Sequence, residues 1–281
     1  MNRLRYIFLF PQLIFLLAAA YSCGSRRHDP RLEEIATLMT DSPRVAVARL
    51  DSIDRATLGE RDRYFRDLLW VKARDKAYMT HSSDSVIADV IDYYSSHRGS
   101  GLYAEALYYG GRVNRELGDY PEALRYFQDA LDEIDDNEEQ LELKGYVVSQ
   151  TGGLLNQLRL YSQAIPYLKE SLRIDSLTND TSGLAYDHCL LGAIYMHRGM
   201  SDSADGYFKK SVELAANMDI KDQAGFKVYL AANQYLMDNT DSALSLIRGL
   251  PEICDQYERS FAIVYAARIY LQAGVLDSAY M

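Results

Sequence analysis

The residues best suited to catalysis or metal binding are few and scattered in this 281-residue chain. Only two of its five histidines, His188 and His197, fall in one predicted helix. At 100° per residue their separation places them on opposite faces of that helix, so they cannot hold one metal ion together. No HExxH, GxxxxGK[ST] or GxSxG motif occurs. The sequence therefore predicts no enzyme, no metal site and no cofactor.

The three cysteines indicate one candidate modification site. Cys23 follows an apolar leader and is the candidate lipid acceptor. Cys189 and Cys254 lie in different parts of the chain, and no CxxC spacing indicates zinc binding or thiol–disulfide exchange. We expect both to be buried thiols. A disulfide between them remains an open alternative.

The first 22 residues have the layout of an export signal. Arg3 and Arg5 precede an apolar run over residues 6–20, which is shorter than the ~20 residues of a transmembrane helix. The run ends in Leu-Ala-Ala-Ala-Tyr-Ser-Cys23, which resembles a bacterial lipobox. That resemblance implies cleavage before Cys23 and lipidation of its thiol. Secretion after cleavage at Ala20 and a retained anchor are the alternatives.

The composition excludes one class of partner. The formal net charge is −10, and an acidic surface repels phosphate backbones, so we expect no nucleic-acid binding. A hydrophobic content of 48% and a charged content of 25% are typical of a globular chain.

A repeat follows the leader and organises most of the chain. Its best copy reads Gly111-x8-Tyr120-x2-Ala123-x3-Phe127-x2-Ala130. The small residue at Ala123 recurs downstream at Ala164, Ala204, Ala243 and Ala279. The steps between these positions are 41, 40, 39 and 36 residues. Repeats of this length indicate stacked helix pairs. Asp-Ser-small triplets recur at three of these positions, as in Asp202-Ser203-Ala204, and we expect them to cap the second helices.

These small and aromatic positions resemble the tetratricopeptide repeat (TPR) family, as it occurs in TPR lipoproteins of the Bacteroidota. The resemblance implies an all-α, right-handed α-solenoid of antiparallel helix pairs. We assign residues 1–22 to the signal peptide, 23–29 to a linker, 30–101 to divergent helical repeats, and 102–281 to TPR-like repeats, the last of them truncated. In the divergent part we predict helices over residues 30–40, 43–54, 60–79 and 84–95.

The family resemblance also implies where a partner binds. In TPR proteins ligands meet the concave face, which the first helix of each pair lines. Carried onto this chain, the best candidates are Tyr108, Arg112, Arg115, Tyr146, Asn156, Tyr186 and His197. The fourth repeat would add Val228 and Tyr235.

The sequence thus predicts a non-catalytic scaffold or sensing module that binds a peptide or protein in a concave groove. We expect a lipoprotein anchored through Cys23 and facing the periplasm, and Gly24 favours the outer membrane. One alternative is a lipoprotein that captures glycans or nutrients. The other is the sensory half of a longer signalling or regulatory protein.

Overall fold

The computed structural model describes residues 27–135, 137–254 and 256–275. All regular elements in these ranges are helical, which confirms the predicted all-α class. They form two compact units that divide between His97 and Arg98. From the sequence we predict the boundary between the two kinds of repeat four residues later, between residues 101 and 102. None of the described helices is both long and apolar enough to cross a membrane.

In residues 27–97, the described part of the first unit, there are four α-helices: α1 (Pro30–Ala36), α2 (Pro43–Ser52), α3 (Glu60–Lys76) and α4 (Ser85–Ser95). Each begins within one residue of its predicted start, and the first three end earlier than predicted. Leu32, Leu50 and Leu69 belong to the apolar core of this unit. One carboxylate, Asp67, is buried there, but Arg55 Nε donates to it at 2.9 Å, so its charge is paired.

The second unit is a row of antiparallel helix pairs. The pairs are α5 (Tyr103–Leu117) with α6 (Tyr120–Glu133), α7 (Leu141–Gln157) with α8 (Tyr161–Thr178), α9 (Thr181–His197) with α10 (Ser201–Leu214), and α11 (Ile220–Leu236) with α12 (Thr240–Ile247). The short helix α13 (Leu250–Ile253) precedes α14 (Gln256–Gln272). We call the surface formed by α5, α7, α9 and α11 the first-helix face.

In the first three pairs, a glycine of the first helix receives a large side chain of the second. A Cβ atom at Gly111 would lie 2.4 Å from the ring of Phe127, and one at Gly192 would lie 2.7 Å from the ring of Phe208. The two large side chains are fully buried. The absent Cβ therefore sets the distance between the two helices of a pair.

The turn between α5 and α6 forms as its residues predict. Gly118 has a left-handed φ of 86° and ends α5, a conformation that glycine adopts without a Cβ penalty. The Asp119 carboxylate then accepts a hydrogen bond from the Glu122 N–H at 3.2 Å and caps α6. Pro121 occupies the first turn of α6, where its missing N–H costs little.

The capping prediction is wrong for the Asp-Ser-small triplets at Ala204 and Ala243, whereas the triplet at Ala279 lies outside the described residues. Asp202 lies inside the first turn of α10, and Met200 is the N-cap residue. Asp241 likewise lies inside the first turn of α12, after Asn239. Neither helix has a side-chain cap, so these aspartates act only as favourable charges near the helix N-terminus.

We predict that Gly111→Ala destabilises the second unit by about 1–3 kcal/mol, because the new methyl group overlaps the buried Phe127 ring. The matched control is Gly206→Ala in the exposed interior of α10, where a Cβ meets nothing within 4 Å. The control should stabilise the protein by about 0.5–1 kcal/mol. Urea unfolding measures both changes, and equal effects would contradict the packing role of Gly111.

Candidate functional site

A pocket of about 160 Å³ opens on the first-helix face, between α7, α9 and α11. Its α9 wall includes Leu190 and a row formed by Tyr186, Cys189, Ala193 and His197. The residues of this row are spaced three, four and four positions apart, which places them along one face of the helix. The pocket therefore lies along the row of first helices and is lined by helix residues alone, with no insertion or special loop.

One end of the pocket is closed by contacts between α9 and α11. The Tyr186 hydroxyl donates to Asp222 Oδ1 at 2.7 Å. The rings of Tyr186 and Phe226 meet edge to face, with centroids 5.0 Å apart. Tyr229 adds a third aromatic side chain to the lining. The resulting wall is apolar and aromatic, with one carboxylate at its edge.

The α7 side of the pocket carries an amide with an unpaired oxygen atom. Asn156 lines the pocket, and its Oδ1 atom is buried without a hydrogen-bond partner. Buried amides normally find partners, and an unpaired one costs about 1–3 kcal/mol. Because the O and N positions of an amide are assigned from hydrogen bonds, Asn156 can turn to offer either a donor or an acceptor.

The opposite end of the pocket is marked by His197. Its ring stacks on that of Tyr161, with centroids 6.1 Å apart. Burial is the main cause that lowers the pKa of His197, and the charge of Arg159 lowers it further. A neutral imidazole with a lowered pKa keeps this end of the pocket uncharged at neutral pH.

The other predicted groove residues lie outside the pocket but on the same face. Tyr108 of α5 is largely buried, and its ring centroid lies 6.4 Å from that of Tyr146 on α7. Tyr146 is 37% exposed and donates to Glu142 Oε1 at 2.5 Å. Arg112 lies half-buried on α5. Tyr108, Arg112 and Tyr146 form a second patch toward the start of the row.

Arg115 belongs to the structure of this face as much as to its surface. Its Nη1 donates to Gln150 Oε1 at 2.7 Å and its Nη2 to Gln157 Oε1 at 3.3 Å, so it joins α5 to α7. Burial lowers the pKa of Arg115, and the charge of Arg112 adds to this effect. A partner that binds here finds a guanidinium already held in place by two glutamines.

The structure thus brings together three of the seven predicted residues, Asn156, Tyr186 and His197, in one pocket. Sequence reasoning missed its α11 wall, including Phe226 and Tyr229. The prediction for Val228 is wrong, because that side chain is fully buried in the core. The TPR pattern identifies the helix positions that face the groove. The pocket lies between two helices, so it also uses residues on the side of α11 that faces α9.

The described residues offer no cluster of three metal-binding side chains of the His, Cys, Asp or Glu type. Cys189 and Cys254 are buried and are not disulfide-bonded, as the sequence predicts. The predicted lipidation site, Cys23, lies outside the described residues.

Comparison with known proteins supports the fold. No family model matches the sequence, and no curated protein matches it significantly. A crystal structure of a Rap protein complexed with competence and sporulation factor matches with a TM-score of 0.68 and 13% identity, covering 89% of this chain and 72% of that chain. The fold is TPR-like.

Two further solved structures agree. BtubC from P. vanneervenii matches with a TM-score of 0.59 and 17% identity, over 71% of this chain and 85% of its own. The C-terminal part of a TPR repeat-containing protein from Cytophaga hutchinsonii matches with a TM-score of 0.51 and 16% identity, over 88% and 91% of the two chains. At these identities the likeness concerns the TPR-like solenoid and not a shared activity.

We predict that the imidazole of His197 titrates below its ordinary pKa of 6.5 because it is partly desolvated at the end of the pocket. NMR titration of its ring protons measures this directly. Arg159→Gln should raise the pKa toward 6.5, since it removes the nearby positive charge. A midpoint at or above 6.5 in the wild-type protein would show that the pocket end is solvated.

Proposed function

We propose that this protein is a non-catalytic interaction module that binds a peptide or protein on its first-helix face. The pocket between α7, α9 and α11 would hold one large apolar side chain of the partner. The second patch, around Tyr108, Arg112 and Tyr146, would contact a neighbouring part of the same partner. The pocket is the single observation on which this proposal depends.

The size and lining of the pocket support a side-chain anchor. A cavity of ~150 Å³ with apolar walls holds a molecule of the size of benzene, so about 160 Å³ suits one leucine or aromatic side chain. Tyrosine and arginine, which recur on this face, are enriched where proteins bind one another. The unpaired Oδ1 atom of Asn156 would accept a hydrogen bond from a backbone N–H group of the bound protein.

The known structures supply a precedent for this use of the fold. The Rap protein that matches this chain was crystallised in complex with competence and sporulation factor. Stacked helix pairs present an extended concave surface, and such surfaces serve as binding sites in repeat proteins. The precedent supports the general mode of binding and does not identify the partner of this chain.

We also propose that the module is tethered to a membrane through a lipid on Cys23, facing the periplasm and at the outer membrane. The apolar leader and the lipobox-like residues before Cys23 support this proposal. Multiple acyl chains on one cysteine give stable anchoring, whereas a single chain binds reversibly.

We predict that Ala193→Phe weakens partner binding by at least about tenfold, or about 1.4 kcal/mol, because the added ring fills the pocket. The control, Ser203→Phe, adds the same ring at an exposed position of α10, a second helix. Quantitative affinity capture from native membranes measures both, and melting curves confirm that each variant folds. Equal capture by the two variants would contradict the pocket as anchor.

The same variants can be tested on a glycan array. Glycan binding that Ala193→Phe abolishes, with no captured protein in any sample, would replace the peptide proposal by glycan capture. The aromatic side chains that line the pocket could also stack on a sugar ring, so glycan binding is the second candidate function.

We predict that Cys23→Ser moves the protein from the membrane fraction to the soluble fraction, because serine cannot accept the thioether-linked lipid. Cys254→Ser serves as the control, since Cys254 is buried. Fractionation followed by immunoblotting measures the distribution. Retention of the Cys23→Ser protein in membranes would show a different anchor.

A further inference from the structure

Two carboxyl groups are buried where α8 and α9 meet, at repeat positions that other units fill with apolar side chains. Asp187 is fully buried and Asp175 is 4% exposed. When the repeats are aligned on Gly192 and Ala164, the positions that correspond to Asp187 hold Ala106, Val147 and Phe226. Those that correspond to Asp175 hold Ile134 and Ala215. The solenoid itself therefore has no need of a carboxyl group at either position.

The surrounding residues make room for these carboxyls but do not neutralise them. The Ser149 hydroxyl of α7 donates to Asp187 Oδ1 at 2.7 Å. A Cβ atom at Gly183 would lie 2.5 Å from Asp175 Oδ2, so this glycine admits the carboxyl group against the start of α9. Oδ2 of Asp175 and Oδ2 of Asp187 have no hydrogen-bond partner, and within the described ranges neither residue forms an ion pair with Lys or Arg.

The titratable group that faces the pair is a third carboxyl group. Asp180 caps α9 by accepting a hydrogen bond from the Gly183 N–H at 2.9 Å, and its charge acts on both buried aspartates. From α7 and α8 the pair meets the hydroxyls of Ser149 and Ser171. The nearest imidazole on α9, His188, faces Tyr207 of α10 instead.

Burial is the largest cause that raises the pKa of Asp175, to about 7, and the charges of Asp187 and Asp180 add to it. Burial likewise raises the pKa of Asp187 to about 6, although hydrogen bonds from Ser171 and Ser149 partly offset it. Neither Oδ2 atom accepts a hydrogen bond. If one carboxyl group is protonated, its O–H can donate to the other carboxyl group.

We propose that Asp175 and Asp187 form a proton-binding pair that holds α9 against α7 and α8 when protonated and loosens this contact when the proton is lost. The same helix carries the α9 wall of the pocket, from Tyr186 to His197. Proton loss would therefore disturb the pocket, a consequence that rests on the proposed function. The pair itself is inaccessible to a substrate, which argues against a catalytic role.

The sign of the pH effect follows from proton linkage. The ordinary pKa of an aspartate is 3.8, and both pKa values are higher in the folded protein. The folded state thus binds more protons than the unfolded state between about pH 4 and pH 7. The stabilisation is complete at the acidic end of this window and is lost as the pH rises through it.

The test compares urea unfolding of the wild-type protein and Asp187→Asn from pH 4.5 to pH 8. Asparagine has nearly the same shape but needs no proton, so it removes the linkage at Asp187 and also the Asp187 charge that helps to raise the pKa of Asp175. As the pH rises, we expect the folding equilibrium constant of the wild-type protein to fall relative to that of the variant. The fall is at most about tenfold per pH unit for each additional proton that the folded state binds. The variant should be the more stable protein at pH 8.

Asp202→Asn, on the exposed surface of α10, is the matched control and should leave the pH dependence of the wild-type protein unchanged. If Asp187→Asn fails to fold, Asp187→Val replaces it, because the preceding repeat holds Val147 at this position. Parallel pH profiles of the wild-type and Asp187-substituted proteins would overturn the proposal.

A second readout tests the loosening of α9 without any binding partner. Cys189 on α9 and Cys254 after α13 are both buried, so the ratio of their maleimide labelling rates cancels the general effect of pH on thiols. We expect this ratio to rise severalfold between pH 5.5 and pH 8 in the wild-type protein and to rise less in Asp187→Asn, in which only Asp175 still titrates. A constant ratio in both proteins would overturn the loosening of α9, whatever the pocket binds.

Discussion

The contact between a glycine of one helix and a large side chain of the next sets the architecture of the second unit. Phe127, Leu168 and Phe208 each lie 16 residues after the glycine that receives them, in three successive helix pairs. Because this contact repeats with the same spacing, these three pairs share one internal geometry, and neighbouring pairs stack in register. A first helix therefore always lies beside the next first helix, and the first-helix face is a consequence of this packing.

The pocket and the buried carboxyl pair are both departures from that regular packing. At the pocket, Ala193 and Gly225 leave space between α9 and α11 that larger residues would have filled. At the carboxyl pair, Gly183 leaves space that an aspartate occupies. Both departures involve α9, so the position of this helix affects the pocket and the carboxyl pair together. Buried polar groups without full partners commonly mark such places, since packing alone would favour apolar residues.

The sequence predicted the fold because the repeat residues act locally. Gly118, Asp119 and Pro121 define a turn through their own backbone and side-chain preferences, and the ring of Phe127 needs only the glycine 16 residues earlier. The α11 wall of the pocket was harder, since it depends on which side of a largely buried helix faces its neighbour. The aspartates that fail to cap α10 and α12 each lie two residues after the actual N-cap residue, a distance at which helix ends are difficult to locate. Aligning the repeats would have revealed Asp187 at an apolar position.

The most direct test of the account is site-specific photo-crosslinking in the native cell. A photoreactive phenylalanine analogue replaces Phe226 in the pocket wall in one protein and Ser203 on the exposed surface of α10 in another. The account predicts a defined peptide or protein adduct from position 226, identified by mass spectrometry, and none from position 203. Equal adducts from both positions, or none from position 226 while the protein folds normally, would contradict binding through the first-helix face.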